Sequence, residues 1–347
     1  MLSLTLQQAL EREVVGQPRA VRTLVRTVTI GHSGLGAREA PVGMFLFMGP
    51  SGTGKTHMAG SLARVLHGDT DRLAFVDCVQ LGGQDDWQEL VQQIAPHFRY
   101  AVDGHGDQLR AMAPLSILLV EHIEAAPSEF TQAMIAAFET GRIVLPDGGV
   151  GSLRGCLVLL TSGVGAREIF ADRQEIGFSS PPGDVEASEK ARIFNEYCSV
   201  VERCWGNDFL GHLDDLIIFH PLRAPHLPLI LGRFLAELNR QFEEQKVRIE
   251  LDPAAKEFLL ERGARFLQHG AWYLGKVFRR FVLFPMADLA SSDLLREGSC
   301  ILVHLVGERL RFCVVDAAPS EAAADADEES TISVPVTWED ASASIRR

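Results

Sequence analysis

No apolar run in this 347-residue sequence approaches the ~20 residues needed to span a bilayer. The stretch Met1 to Glu13 has no basic segment followed by an apolar one. Neither a membrane span nor a signal peptide is therefore expected, and the cytosol is the expected compartment. Cysteine is sparse and scattered: Cys78, Cys156, Cys198, Cys204, Cys300 and Cys313 contain no Cys-x-x-Cys pair, the usual mark of a thiolate metal or redox site. Several lie in apolar runs, so buried free thiols are expected. His97 and His105 flank a glycine-rich loop without the close ligand set of a zinc site. Ser116, Cys156 and Thr161 have no base placed beside them by the sequence, so no covalent catalysis is expected. Basic charge is also in deficit. The net charge is −13, of which residues 316–347 carry −6, and the acidic body that remains argues against non-specific nucleic-acid binding. No internal repeat is present.

What is present begins with Gly49-Pro50-Ser51-Gly52-Thr53-Gly54-Lys55-Thr56, preceded by the apolar run Met44 to Met48 and followed by helical spacing from His57 to Leu66. This is a phosphate-binding loop in its strand–loop–helix setting. Its glycines let successive backbone N–H groups turn inward on phosphate oxygens, and the helix N-terminus adds partial positive charge. Lys55 is the candidate partner of the outer phosphates and the Thr56 hydroxyl the candidate Mg²⁺ ligand, so ATP or ADP with Mg²⁺ is the expected ligand.

The rest of the chain alternates strands and helices. Helices are expected over Leu4–Glu13, Pro18–Ile30, Trp87–Ile94, Ser128–Glu139 and Glu189–Cys204, and strands over Leu73–Cys78, Ile117–Val120, Cys156–Leu160 and Leu216–Phe219. Continuous apolar strands of this kind are covered on both faces, which predicts an α/β domain with a mostly parallel sheet. From Pro225 onward the pattern is helical (Pro225–Gln245, Asp252–Gly263, Ala271–Ala290) and ends in a hairpin over Ile301–Leu305 and Leu310–Val315. Pro319 to Glu329 is rich in alanine and acid and is expected to be disordered, with Ile332 to Trp338 as an extended docking segment.

Taken together, these features resemble a single AAA+ module of the Clp family, specifically the carboxyl-terminal module of the Clp disaggregases and unfoldases. The resemblance covers about Leu10 to Val315. It rests on Val14-Val15-Gly16-Gln17, Pro41-Val42-Gly43, the phosphate loop, Pro114-x-Ser116, Gly141-Arg142, Thr161-Ser162, Phe209-Leu210 with Leu213-Asp214, Phe219-x-Pro221-Leu222, Ala254-Ala255-Lys256-x-Phe258-Leu259, Gly270-Ala271 and Pro285-x-Ala287. It implies a large P-loop α/β domain over 1–219, a smaller, mainly helical lid with a short sheet over 220–315, and an acidic tail over 316–347. It also adds Val15 to the nucleotide-binding residues.

The resemblance further implies which residues occupy the family's hydrolytic positions. Ungapped alignment places the Asp-Glu pair on Glu121-His122. Glu121 keeps the Mg²⁺-orienting carboxylate with one extra methylene, and His122 replaces the water-polarising glutamate. A register shifted by one makes Glu121 the base and Val120 the magnesium position. Gly163 stands where the family has a water-positioning asparagine, His212 where an arginine reaches a neighbouring subunit's nucleotide, and Trp272 where a lid arginine senses the terminal phosphate. A trans arginine contributes about 10³ to 10⁵ in rate, and histidine is a poor substitute for it. With the loop intact and these positions substituted, the expected function is a nucleotide switch or partner-activated ATPase of impaired turnover in protein remodelling. The alternatives are an active ATP-driven unfoldase or a nucleotide-independent scaffold. Expected partners are other AAA+ subunits or an arginine-donating activator, and protein clients gripped through Phe98 or Tyr100. A peptidase ring docked through Ile176-Gly177-Phe178 is a further, weaker expectation.

Overall fold

Six consecutive buried residues, Gly43–Met48, form strand β1, and their side chains divide between two cores. Met44, Leu46 and Met48 enter one hydrophobic cluster, Phe45 and Phe47 the other. This period of two on a strand covered on both faces marks the centre of a doubly covered sheet. The computed structural model describes residues 2–33, 41–70, 73–80, 115–144, 150–153, 155–171, 183–291, 295, 297–307, 309–315 and 331–335. Backbone contacts divide the chain into two compact units, Met1–Pro221 and Leu222–Arg347.

In the first unit, helices α1 (Leu2–Glu13) and α2 (Pro18–Ser33) precede β1, and α3 (Lys55–His67) follows it. Then come β2 (Leu73–Asp77), β3 (Ser116–Glu121), α4 (Ser128–Thr140), the short antiparallel pair β4 (Arg142–Val144) and β5 (Val150–Ser152), and β6 (Cys156–Ser162). Helices α5 (Ala166–Ala171) and α6 (Gly183–His212) and strand β7 (Asp215–Ile218) complete it. Strands β2, β3, β6, β1 and β7 lie side by side in that order, and every pairing among them is parallel. One face packs on α1 to α3 through Leu10, Leu24, Met58 and Leu62, the other on α4 and α6 through Phe130, Met134, Ile193 and Tyr197. Helix α6 is interrupted at Gly206, where φ is 84° and ψ is 168°, so its first segment ends beside the expected Cys204 and a second segment runs on to His212.

The second unit contains α7 (Leu227–Gln241), β8 (Arg248–Leu251), α8 (Pro253–Ala264), α9 (Ala271–Phe278), a π-helical turn (Arg279–Leu283), α10 (Phe284–Ser291), β9 (Cys300–Val306), β10 (Arg309–Val315) and β11 (Thr331–Pro335). The expected hairpin is the antiparallel β9–β10 pair. Two strands join it: β8 pairs parallel to β9, and β11 antiparallel to β10. Strand β8 escaped the sequence reading because its four residues alternate exposed and buried and carry two charges. Both backbone groups of Ile249 within it bond the Asn239 amide, at 3.1 and 2.7 Å, which ties the strand to α7. Strand β11 overlaps the extended segment expected over Ile332 to Trp338, whereas the stretch expected to be disordered, 319–329, is outside the described residues. All six cysteines are free, as read from the sequence, but only Cys78 and Cys156 are buried; Cys204 is exposed because it lies on the outward side of α6. Among the described residues no helix is long and apolar enough to cross a membrane.

The exit from β1 is tightly packed. Gly49 has φ 147°, and a β-carbon there would sit 2.3 Å from the carbonyl oxygen of Phe219. That backbone cannot withdraw, because the Phe219 N–H donates to the carbonyl of Met48 at 2.7 Å. Gly49→Ala is expected to destabilise the protein by about 2–4 kcal/mol through combined clash and backbone strain, read as a lower urea midpoint at unchanged slope.

Candidate nucleotide-binding site

The parallel strands end together, and their carboxyl ends carry most of the candidate residues, as open α/β sheets dispose ligand sites. Residues 49–54 link β1 to α3, Glu121 closes β3, Ser162 closes β6 and Asp77 closes β2. The pairings are in register: Met48 lies opposite Ser162, and Asp77 opposite Glu121. Gly54 caps α3 with φ 100°, a conformation in which the chain turns directly from loop into helix. The Thr53 hydroxyl donates to the Pro50 carbonyl at 2.9 Å and closes the loop on itself.

Gln17 was quoted above only as part of an anchor motif, yet it braces the loop. Its buried amide donates to the carbonyls of Thr53 at 3.2 Å and His220 at 3.0 Å and accepts the His220 N–H at 3.2 Å. The Val14–Gln17 connection is thereby tied to both the phosphate loop and the end of β7, with Val15 half-buried beside it. A glutamine following Val-Val-Gly at a helix start was the available signal. Its partners, 36 and 203 residues away, were not readable from it.

Lys55 turns its ammonium onto the loop's own carbonyls, donating to Gly49 at 2.6 Å and Pro50 at 2.9 Å. Burial lowers its pKa to about 8, against the opposing pull of Glu124 and then Glu121, whose negative charges favour the ammonium. The Thr56 hydroxyl donates to the Glu121 carboxylate. Two hard oxygen donors in contact are the donor set Mg²⁺ prefers, so the residues fit that ion, and Glu121 rather than apolar Val120 is the carboxylate beside Thr56. The other reading, with Val120 at the magnesium position, places no donor there; Val120 is fully buried in the core.

His122 is turned away from that pair. Its backbone is left-handed, with φ 53° and ψ 49°, and its N–H faces the Thr161 hydroxyl oxygen at 3.4 Å. Its Nδ1 lies 2.9 Å from Oδ1 of Asp77, which also accepts the Val79 N–H at 3.1 Å. Since a carboxylate only accepts, Nδ1 is the donor. Gly163 offers no side chain; its N–H donates to Oε1 of Glu124 at 3.2 Å. Asp77 and Glu124 were not singled out in the sequence, although a carboxylate at a strand end and another three residues past Glu121 were visible there.

His212 ends α6, apart from this cluster. The Asp208 carbonyl accepts from Nδ1 at 2.6 Å and the Glu139 carboxylate from Nε2 at 3.1 Å. The Asp208 bond, followed by the Glu139 bond and charge, raises its pKa, because two acceptors favour the doubly protonated ring. Trp272 belongs to the second unit, where it stands exposed at the start of α9 with the Lys276 ammonium 3.8 Å from its ring centroid. The loop holding Phe98 and Tyr100 and the tripeptide Ile176 to Phe178 lie outside the described residues.

Lys55 holds its proton less tightly in the folded protein than in the unfolded chain, about 8 against 10.5. The cost of burying the charge is therefore present in full below pH 8, where both states are charged, and is relieved as pH rises from 8 toward 10.5. Lys55→Met is expected to stabilise the nucleotide-free protein by about 1–3 kcal/mol at pH 7, with the gap closing across that window. Urea unfolding over a pH series measures it; a gap that does not change with pH would assign the difference to packing instead.

Comparison with known proteins agrees with this architecture. The family model described as AAA domain (Cdc48 subfamily) matches residues 40–216, and the one described as the C-terminal, D2-small domain of ClpB protein matches residues 222–303. The negative regulator of genetic competence ClpC/MecB of Bacillus subtilis is 28% identical over 303 residues, 87% of this chain and 36% of its own length. Chaperone protein ClpB of Rhizobium meliloti is 27% identical over 320 residues, 92% of this chain and 35% of its own. The chain thus spans about a third of the length of these relatives. A cryo-electron microscopy structure of Hsp104 in its closed state, with ATPγS and FITC casein, superimposes with a TM-score of 0.69 at 24% identity. That match covers 90% of this chain and 51% of the other, and it shows a shared fold. With more than half of its length matched by the AAA domain model and the following segment by the ClpB small-domain model, the chain belongs to the AAA+ family, as a module of Clp/Hsp100 type.

Proposed function

We propose that this module binds Mg·ATP or Mg·ADP and uses the nucleotide mainly as a switching ligand, with hydrolysis impaired. The observation that carries the reading is that the binding half and the hydrolytic half of one site have different fates. Lys55, Thr56 and Glu121 keep the groups that bind phosphate and magnesium, and Thr56 and Glu121 are in contact. The two imidazoles at hydrolytic positions are instead each engaged by a carboxylate of the same chain, His122 by Asp77 and His212 by Glu139. A histidine whose ring is already held in this way is poorly placed to polarise water or reach a neighbour's phosphate. Gly163 has no side chain to position water, and Trp272 carries no charge with which to sense a phosphate.

In this reading residues 1–219 are the nucleotide-binding domain and 220–315 the lid, with 316–347 as an acidic tail. Nucleotide favours one disposition of lid and domain only to the extent that it binds the two dispositions differently. The missing cation is supplied in trans, by another AAA+ subunit of a homo- or hetero-oligomer or by an arginine-bearing activator. The work served is protein remodelling: relatives carry the names chaperone protein ClpB and ATP-binding subunit of an ATP-dependent Clp protease.

Equilibrium binding and phosphate release on one purified sample test this, with Lys55→Ala as control. Wild-type protein is expected to bind Mg·ATP and to gain about 2.7 kcal/mol of stability at a hundredfold excess over Kd. Lys55→Ala is expected to bind about tenfold or more weakly, as loss of a charge-assisted contact implies. Phosphate release should stay slow until an arginine donor is added. Rapid, Lys55-dependent release by the isolated protein would refute impairment, and absence of nucleotide binding would refute the switch.

A further inference from the structure

The carboxylate missing from residue 122 has a counterpart two residues on. Glu121 is committed to the Thr56 hydroxyl, but the turn that follows β3 brings in a second acid. Left-handed His122 turns the chain out of the strand into the 3-10 turn Ile123–Ala125. That turn is closed by the Ala125 N–H to the His122 carbonyl at 2.8 Å and anchored in the core by Ile123, 1% exposed. The side chain between these two fixed points is Glu124. It reaches the end of β6, where Oε1 accepts the Gly163 N–H at 3.2 Å. Its charge also favours the Lys55 ammonium, ahead of that of Glu121.

Resting on the nucleotide-binding reading above, we infer that Glu124, and not His122, is the carboxylate that faces the terminal phosphate and activates the attacking water, giving the site a slow turnover of its own. The geometry links two departures from the family pattern. With His122 drawn to Asp77, the base position is vacated. Gly163 presents its backbone N–H to Glu124, and a β-carbon built there would lie 3.8 Å from Oε1, an ordinary contact. In the step itself, the water oxygen bonds to the terminal phosphorus, the bond from that phosphorus to the bridging oxygen breaks with its electron pair leaving on ADP, and the water proton passes to Glu124. Phosphate and ADP are the products.

The test compares wild type, Glu124→Gln, Glu124→Asp and His122→Ala in the full chain, each checked for folding by thermal melting. Two readouts are taken: phosphate release under single-turnover conditions over hours, with Lys55→Ala as blank, and equilibrium affinities for ATP and ADP. Glu124→Gln is expected to lower release by about 100-fold, the scale of a general base, while tightening ATP relative to ADP several-fold because a negative charge beside the terminal phosphate is gone. Glu124→Asp keeps the charge and shortens the reach, so it should retain the wild-type ATP/ADP ratio and lose most of the release. Glu124→Gln within about twofold of wild type in both readouts would overturn the inference and leave Glu124 as a cap on the Gly163 amide. Loss of release in His122→Ala with release kept in Glu124→Gln would assign the base to His122, and the absence of any Lys55-dependent release in wild type would remove the base role altogether. ATP binding separates the two levels: a wild type that binds no ATP sinks the nucleotide reading itself, whereas binding with Glu124→Gln unchanged sinks only the role of Glu124.

Discussion

A lysine ammonium held against backbone carbonyls in a desolvated loop is the constraint around which the first unit is arranged. Lys55 is charged at neutral pH although burial disfavours it, with a pKa lowered to about 8. It is tolerable only because carbonyl dipoles of Gly49 and Pro50 accept its protons and because Glu124 and Glu121 lie close enough for their charges to act on it. Each partner depends on the sheet. The carbonyls face inward because Gly49 takes a φ of 147° against the Phe219 backbone, and the carboxylates arrive because β3 ends level with the loop. Gln17 adds a brace from the α1–α2 connection, so packing of α1 and α2 on the sheet also contributes to the loop's shape.

The two histidines share one physical consequence. Each ring finds an acceptor in its own chain. His122 finds Asp77, which ends β2 opposite Glu121, and His212 finds the Asp208 carbonyl one helical turn back and Glu139 on α4. These pairs are partly exposed, so they contribute little to stability; their effect is to orient.

Much of the fold was legible because it rests on local chemistry. Apolar runs at Met44–Met48, Ile117–Val120, Cys156–Leu160 and Leu216–Ile218 are strands in the structure, since sustained burial on both faces needs no knowledge of the neighbours. Where sequence failed, the determinant lay elsewhere. Strand β8 exists because β9 accepts its pairing and Asn239 holds Ile249. The exposure of Cys204 depends on which side of α6 meets the core, which composition does not report.

The same division runs through the site. Eight contiguous residues, Gly49 to Thr56, determine a phosphate-binding loop by themselves, because glycine conformations, inward N–H groups and a following helix N-terminus are properties of a short backbone stretch. Which acid meets Lys55, and what each histidine touches, was decided only in three dimensions. Glu124 and Gly163 are 39 residues apart, Asp77 and His122 45, Glu139 and His212 73. Strand order and register bring them together, and a left-handed turn at one residue determines which of two nearby side chains faces the loop.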